Sequence, residues 1–444
     1  MKPTPSSGGL SRRQFMAATA AAVAVPTFIP ARALGKDGAT PPSERIVVGT
    51  VGWGMQGPHN TKMLMAEKDC QMVAACDLDS RPLKQAVDAI NKHYGNTDCK
   101  AYSDFRELFA RTDIDAMVLS VPDHWHAITS IEACRQKKDI FGEKPLARTI
   151  AEQQAIVKAV QKHQRIWQTG SWQRSQAHFH KAAEIVRNGL IGRVKHVEVG
   201  LPSGHVDFKK TKDKLVVSEP PPELKYDMWV GPSQWMPYIE GRVHMNWRWN
   251  YNFGGGQLLD WVGHHVDIAH WGLGFDDAGG PVEVAGTGEF PPRDAVWNTA
   301  TKYRCELKYA DGTTMTIAGG DPAIKMGTKW IGENGWVWVD RGNSFEASNP
   351  EWKQWTAVPD DLRKVKLYES RHHWRNFLDC VRSRKPTVTP VETAHRSAIP
   401  GHLGLIAMMV GRKITWDPKK ERIVGDKEAS RLLSREYRKP WKLG

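Results

Sequence analysis

The sequence predicts two parts in succession: an α/β part with a doubly wound parallel sheet over residues 45–168, then an α+β domain with an open, mostly antiparallel sheet over 169–444. Three observations carry this. From Arg45 to about Gln168, short apolar runs alternate with helical runs, the pattern of strands crossed over by helices. A glycine-rich turn separates the first strand from the first helix. Beyond about residue 190, segments alternate polar and apolar residues around turn signals, as strands with one buried face do. At 444 residues the chain also exceeds one ordinary domain.

Composition narrows the classes. With 40% hydrophobic and 25% charged residues the chain is globular rather than disordered. The net charge of +13 is dispersed among Asp and Glu, so it reads as a solvated basic surface and not as a nucleic-acid interface. After the N-terminus no apolar run approaches the roughly 20 residues of a membrane span. Six cysteines (Cys70, Cys76, Cys99, Cys134, Cys305, Cys380) form no CxxC pair, which argues against a structural zinc site. A Cys70–Cys99 disulfide stays open.

Residues 1–33 read as an export signal. Ser11-Arg12-Arg13-Gln14-Phe15 precedes an Ala-rich apolar stretch, and Ala31-Arg32-Ala33 supplies an A-x-A cleavage site. Twin arginines before a mildly apolar core point to the Tat route and a periplasmic destination. Residues 34–44 are a Pro/Gly/Ser linker.

The first strand, Arg45 to Val51, runs into Gly52-Trp53-Gly54-Met55-Gln56-Gly57. The three glycines differ in purpose: Gly52 allows a tight turn, Gly54 lets the backbone approach a pyrophosphate, and Gly57 lets helix and strand pack. The run HNTKMLMAEK follows as a helix, and the turn with Met55 and Gln56 brings the pyrophosphate to its N-terminus. Asp77 ends the second strand twenty residues later, where a carboxylate accepts from the ribose 2′-hydroxyl and repels a 2′-phosphate. This predicts a Rossmann domain binding NAD, with NADP the lesser alternative because Arg81 is close by. A Tat substrate can carry such a cofactor out already bound. Further strands end at Val121-Pro122 and at Glu143-Lys144-Pro145, the ends where such sheets hold their ligands.

These residues, with Val121-Pro122-Asp123-His124-Trp125-His126 and Gly254 to Asp267, resemble the Gfo/Idh/MocA oxidoreductases of sugars and polyols, in particular their Tat-exported bacterial branch. The likeness runs from Arg45 to the C-terminus. The resemblance implies that Lys144 is the catalytic lysine and that His264 is the base for the substrate hydroxyl. It also implies that Asp260 orients the sugar or the lysine, and that Pro122, His126 and Glu143 lie along the dinucleotide. Asp260 and His264 are four apart and share a helical face, whereas His265 points about 100° away and reads as a supporting or packing residue. A metal would need ligands from His264, His265, His270, Asp260 and Asp267 around the H-H-x-D run, and four of these cannot share one helical face, which argues against a metal. Trp125, Trp172, Gln173, Arg174, Arg248, Tyr251 and His265 are the candidate substrate contacts. Trp172 departs from the Asn or Gln that relatives carry there.

The second part holds a Trp-, Pro- and Tyr-rich insertion at 205–252, strand-like segments around an Asp311-Gly312 turn, and two C-terminal helical runs returning to the domain interface. Nineteen tryptophans suit both a carbohydrate site and a large core. The open sheet face suits a second copy of the chain. The expected function is an oxidoreductase on a sugar, polyol or glycoside whose bound NAD is recycled internally. A glycoside hydrolase working through transient oxidation is the alternative, and a sugar- or NAD-binding sensor the second.

Overall fold

The computed structural model describes residues 40–443 except Ala278, so the expected signal at 1–33 lies outside the described residues. Residues 1–45 form one unit, with a 3-10 turn at Pro42–Glu44, and 46–444 form another. Both sheets lie in the second unit.

That unit begins with strands and helices in alternation: β1 (Ile46–Val51), α1 (Gln56–Met65), β2 (Cys70–Cys76), α2 (Ser80–Tyr94), β3 (Lys100–Tyr102), α3 (Phe105–Phe109), β4 (Ala116–Leu119), α4 (His126–Arg135), β5 (Asp139–Gly142), α5 (Ile150–His163) and β6 (Trp167–Thr169). The six strands are all parallel, in the order β3-β2-β1-β4-β5-β6. Local chemistry sets the boundaries. Asp79 and Thr149 each start a helix by accepting a backbone N–H, at Arg81 and Glu152. Gly95 ends α2 with φ +67°. The chain order reverses between β1 and β4, which opens a crevice beyond their C-terminal ends.

The remainder builds a second sheet. α6 (Ala177–Arg187) leads into β7 (Val194–Leu201). The insertion follows, with one short α-helix, α7 (Tyr226–Val230), and 3-10 turns at Glu240–Arg242 and His244–Trp249. Next come α8 (Gly256–Trp261), a π-helical turn at Val262–Val266, and α9 (Asp267–Leu273). Strands β8 (Glu283–Glu289), β9 (Lys302–Lys308), β10 (Thr314–Gly319), β11 (Gly327–Gly332), β12 (Trp336–Asp340) and β13 (Ser344–Ala347) continue the sheet. After α10 (Glu351–Gln354), α11 (His373–Ser383) and α12 (Val391–Val410), the tail adds β14 (Ile414–Asp417), β15 (Arg422–Val424) and α13 (Lys427–Arg431). The sheet order is β13-β12-β11-β7-β10-β9-β8-β14-β15, and only the β7–β10 pair is parallel. The tail, which reads from sequence as a peripheral closing segment, thus completes a sheet edge.

The inward face of this sheet buries Val197, Val199, Cys305, Leu307, Ile317 and Trp330 against the helices. α12 runs between the two halves, packed on α5, on the π-turn and on β8. The opposite face presents Glu198, Lys329, Arg304 and Glu306 in ion pairs. All six cysteines are buried free thiols. Trp249, Trp330 and Trp416 are wholly buried, so part of the tryptophan excess is core. No helix among the described residues is long and apolar enough to cross a membrane.

One buried ion network ties the parts together and corrects the sequence reading of Arg174. Its guanidinium, 2% exposed, grips the Asp267 carboxylate through Nε and Nη2 at 2.8 and 2.9 Å, and Asp276 at 2.7 and 2.8 Å. Both carboxylates consume its donors, so it binds α9 rather than a substrate. Removing one partner of a buried pair leaves a charge unpaired in a poorly polarisable site. Arg174→Met should therefore lower stability by about 3–5 kcal/mol in urea unfolding and leave the cofactor content of the folded fraction unchanged.

Candidate active site

The crevice beyond β1 and β4 is a cleft of ≈ 780 Å³. Its floor is the glycine turn, where each glycine has a distinct steric reason. Gly52 has φ +89°, and a Cβ there would sit 2.5 Å from the Ser120 carbonyl oxygen. At Gly57 a Cβ would lie 2.0 Å from the Gly52 carbonyl oxygen, so helix and turn could not pack. At Gly54 a Cβ would meet nothing: that backbone faces open cleft. α1 has no side-chain N-cap at Met55, which leaves its first N–H groups for an anion. Asp77 accepts from Trp53 N at 2.8 Å and from Asp79 N at 3.0 Å, and each oxygen keeps a lone pair for a ribose hydroxyl. Burial raises its pKa, against the pull of these bonds. Arg81 is tied to Asp79 at 2.6 Å, so its charge is already engaged. The residues present fit a dinucleotide.

The insertion forms the opposite wall. It is stitched on just past Asp77, by Ser80 N to the Glu223 carbonyl and Lys225 N to the Leu78 carbonyl, both 3.0 Å. Tyr226, Trp229, Val243, Trp247 and Phe253 give it a small core of its own. Lys209 and Lys210 line the cleft from this side. The loop after β4 meets the insertion as well: His124 Nε2 and Trp125 Nε1 lie 2.8 and 3.1 Å from the Trp229 carbonyl oxygen. Trp125 lines the cleft but is 3% exposed and packs edge-on with Trp441. His126 is buried with both ring nitrogens on carbonyl oxygens, Pro145 at 2.7 Å and Val121 at 2.9 Å. It therefore joins the two strand-end loops instead of reaching the cofactor. Pro122 and Glu143 line the cleft, and Asn60 on α1 donates to Glu143 at 2.7 Å.

The deep end gathers charge from three parts of the chain. Lys144, from the loop after β5 and preceding a cis proline, donates to the Asp260 carbonyl at 2.9 Å and to Asp260 Oδ1 at 3.0 Å. Arg248 of the insertion donates to the same Oδ1 at 3.1 Å. Burial works to raise the Asp260 carboxyl, but Lys144 and Arg248 outweigh it and hold it below the usual carboxylate range. A Cβ on Gly263 would lie 2.8 Å from Lys144 Cβ, and one on Gly254 would lie 2.9 Å from the Arg248 backbone. Both glycines permit the close approach.

The helix carrying His264 and His265 is not a regular α-helix. A π-turn spans Val262–Val266, a widening often found at functional sites. Asp260 contacts Lys144 at 3.0 Å, and His264 feels the Lys144 charge. His264 is buried beyond the lining of the dinucleotide cleft, edge-on to Trp172 and Trp261 at 6.2 and 5.4 Å between ring centroids. Its Nδ1 has no hydrogen-bond partner among the described residues. Burial, then Lys144 and Arg341, push its pKa well below the ordinary value, so the ring is a neutral acceptor. Arg341 is a neighbour the sequence did not reveal: it lies over Trp172 and Trp261 at 4.9 and 4.3 Å. Asp123 is the second. It was legible only as part of its motif, yet it is 3% exposed and lines the cleft.

Other candidates lie elsewhere. His265 is wholly buried, stacked on Trp261 and 3.3 Å from Asp340. Gln173 is buried beside it at 3.4 Å. Tyr251 gives its carbonyl to Arg148 at 2.6 Å and its ring face to the same guanidinium at 4.0 Å. These three are packing residues and not cleft contacts. Within the H-H-x-D run, Asp267 is taken by Arg174, and His265 Nε2 lies 3.3 Å from Asp340.

A family model described as oxidoreductase family, NAD-binding Rossmann fold, matches residues 46–171. The corresponding C-terminal alpha/beta domain matches residues 175–443. Inositol 2-dehydrogenase of Salmonella typhimurium (strain LT2) is 29% identical over 147 residues, 33% of this chain and 42% of that protein. A glycosyl hydrolase family 109 protein of Shewanella baltica (strain OS155) is 27% identical over 168 residues, 36% of this chain and 35% of that protein. The matched region thus spans less than half the length of either relative. Among solved structures, the WlbA dehydrogenase from Chromobacterium violaceum in complex with NADH and UDP-GlcNAcA superposes with a TM-score of 0.62 at 18% identity, over 84% of this chain and 96% of that one. With both domain models matched in sequence order over nearly all of residues 46–443, the chain belongs to the Gfo/Idh/MocA family of NAD-binding oxidoreductases.

Proposed function

We propose that this enzyme oxidises a hydroxyl of a sugar, polyol or glycoside with an NAD that stays bound through the cycle. The observation that carries this reading is the Lys144–Asp260–Arg248 cluster at the inner end of the dinucleotide cleft, with a neutral His264 behind it. Two of the three Lys144 donors are spent on Asp260; the third is free for the ribose or the reacting hydroxyl. NAD, when bound, supplies a hydride acceptor. Lys144 and Arg341 depress the basicity of His264, and the same charges stabilise the alkoxide that forms as the hydroxyl loses its proton. The weak base therefore faces an acid made stronger by its own neighbours.

The insertion wall, sewn to the Rossmann sheet beside Asp77, supports retention of the cofactor. Export through Tat to the periplasm, where no NADH pool is at hand for exchange, belongs to the same reading. So does a second copy of the chain against the outer sheet face. The name of the Shewanella relatives favours a second reading, hydrolysis of a glycoside by oxidation, elimination, addition of water and hydride return.

Three outcomes test this. NAD should co-purify with protein exported through its own signal; mass spectrometry of the denatured protein reads it, and a cofactor-free product that binds added NAD weakly sinks the retention argument. Asp77→Ser should weaken NAD binding by roughly ten- to hundredfold, the worth of a hydrogen bond to a charged group, and narrow the preference over NADP in a fluorescence titration. Lys144→Met and His264→Ala should each slow single-turnover formation of reduced nicotinamide by about 10²–10⁴-fold without loss of bound NAD. His265→Ala should cost much less rate, although it loses stability. The reverse pattern for the two histidines would mean that the wrong side of the π-turn had been assigned.

A further inference from the structure

Asp123 is the buried titratable group that hydride transfer from a hydroxyl leaves unused. It starts the 3-10 turn Asp123–Trp125 after β4 and lines the cleft together with Lys144 and Arg248. Three cations and one carboxylate act on it, and every cation donates its hydrogen bonds elsewhere. Lys144 and Arg248 donate to Asp260, Arg248 also to the Met245 carbonyl, and Arg148 to the Tyr251 carbonyl. They act on Asp123 through the field and not by a hydrogen bond. Burial and the Asp260 charge prevail, and its carboxyl is raised to about 7. A group that titrates there can both take and return a proton at neutral pH. Oxidation of a hydroxyl has one proton to dispose of, and His264 already accepts it.

We infer that Asp123 handles a proton on carbon: it is the base for the C–H beside a ketone and, once protonated, the acid for a departing glycosidic oxygen. The inference rests on the oxidoreductase reading and names its substrate class as a glycoside. After oxidation of the ring carbon two removed from the anomeric carbon, the C–H between them is acidified. Asp123 takes that proton, the electron pair of the bond becomes a C=C bond, and the anomeric C–O bond breaks with its electrons on the aglycone oxygen. Asp123 then gives the proton to that oxygen, and the aglycone leaves as an alcohol. The step neither gains nor loses electrons. Addition of water and return of the hydride close the cycle.

Two measurements on the full-length protein test this. Infrared difference spectra across a pH titration should show a protonated-carboxyl band with a midpoint near 7, missing in Asp123→Asn. A midpoint in the ordinary aspartate range overturns the inference. Next, protein loaded with NAD is incubated in D2O with a panel of methyl hexopyranosides. Proton NMR follows exchange at the ring carbon, and absorbance follows reduced nicotinamide. Asp123→Asn should lose exchange by at least about 100-fold more than it loses nicotinamide reduction. Equal losses, or loss of bound NAD, would make Asp123 a positioning residue for Asp260 or the ribose and overturn the inference. If the unaltered protein reduces no nicotinamide with any sugar of the panel, the oxidoreductase reading falls, and the infrared midpoint still decides whether Asp123 carries a proton.

Discussion

A single carboxylate oxygen, Asp260 Oδ1, holds the working end of this molecule together. Lys144 reaches it from the parallel sheet at 3.0 Å, Arg248 from the insertion at 3.1 Å, and Asp260 itself projects from the helix laid across the second sheet. Stripping three charges of water is expensive, and a buried pair is weak evidence for stability in itself. What the arrangement gains is position. An ammonium satisfied on two sides can present its remaining proton in only one direction, toward the cleft. The neighbouring glycines follow from this constraint. With a side chain at Gly263 the helix would strike Lys144, and with one at Gly254 the insertion would strike the Arg248 backbone.

Features set by neighbours in sequence were legible before the structure. The glycine turn is one, because the positive φ at Gly52 and the contact of Gly57 with the Gly52 carbonyl are set within six residues, although Gly52 also clears the distant Ser120 carbonyl. The parallel alternation is another, since the apolar and helical runs that mark it are local. The pairing of Lys144 with Asp260 was legible only through the family likeness, because 116 residues separate them. Arg174 was misread for the same reason: its carboxylates are 93 and 102 residues away, and sequence shows a charged residue at a lip without showing what it faces. Tyr251 and Gln173 failed likewise, their partners lying on distant elements.

The π-turn and Arg341 mark a second kind of limit. Nothing in Val262-Gly263-His264-His265-Val266 distinguishes a wide turn from a tight one; the choice comes from packing against α12 and the Lys144 loop. Arg341 follows β12 in an ordinary Asp-Arg-Gly stretch, and its place over Trp172 and Trp261 depends on the sheet order. The tryptophan excess was ambiguous in composition because burial and stacking both favour indole. The structure divides it, with Trp330 and Trp416 in the core and Trp172 half-buried beside His264.

Asp123 and Asp260 show how one small volume can make two different groups from the same side chain. Asp123 is buried, Asp260 is partly buried, and both feel Lys144 and Arg248. Asp260 receives their hydrogen bonds and stays an anion; Asp123 receives only their field, diminished by the charge on Asp260 itself, and is pushed upward instead. Groups held apart in this way take separate duties, one as fixed charge and the other as proton carrier. The division depends on the direction of two donors and not on composition. Turning Lys144 from Asp260 toward Asp123 would exchange the roles. The carbonyl of Asp260, which accepts a second bond from Lys144 at 2.9 Å, opposes that turn, so the backbone of α8 fixes which carboxylate stays charged.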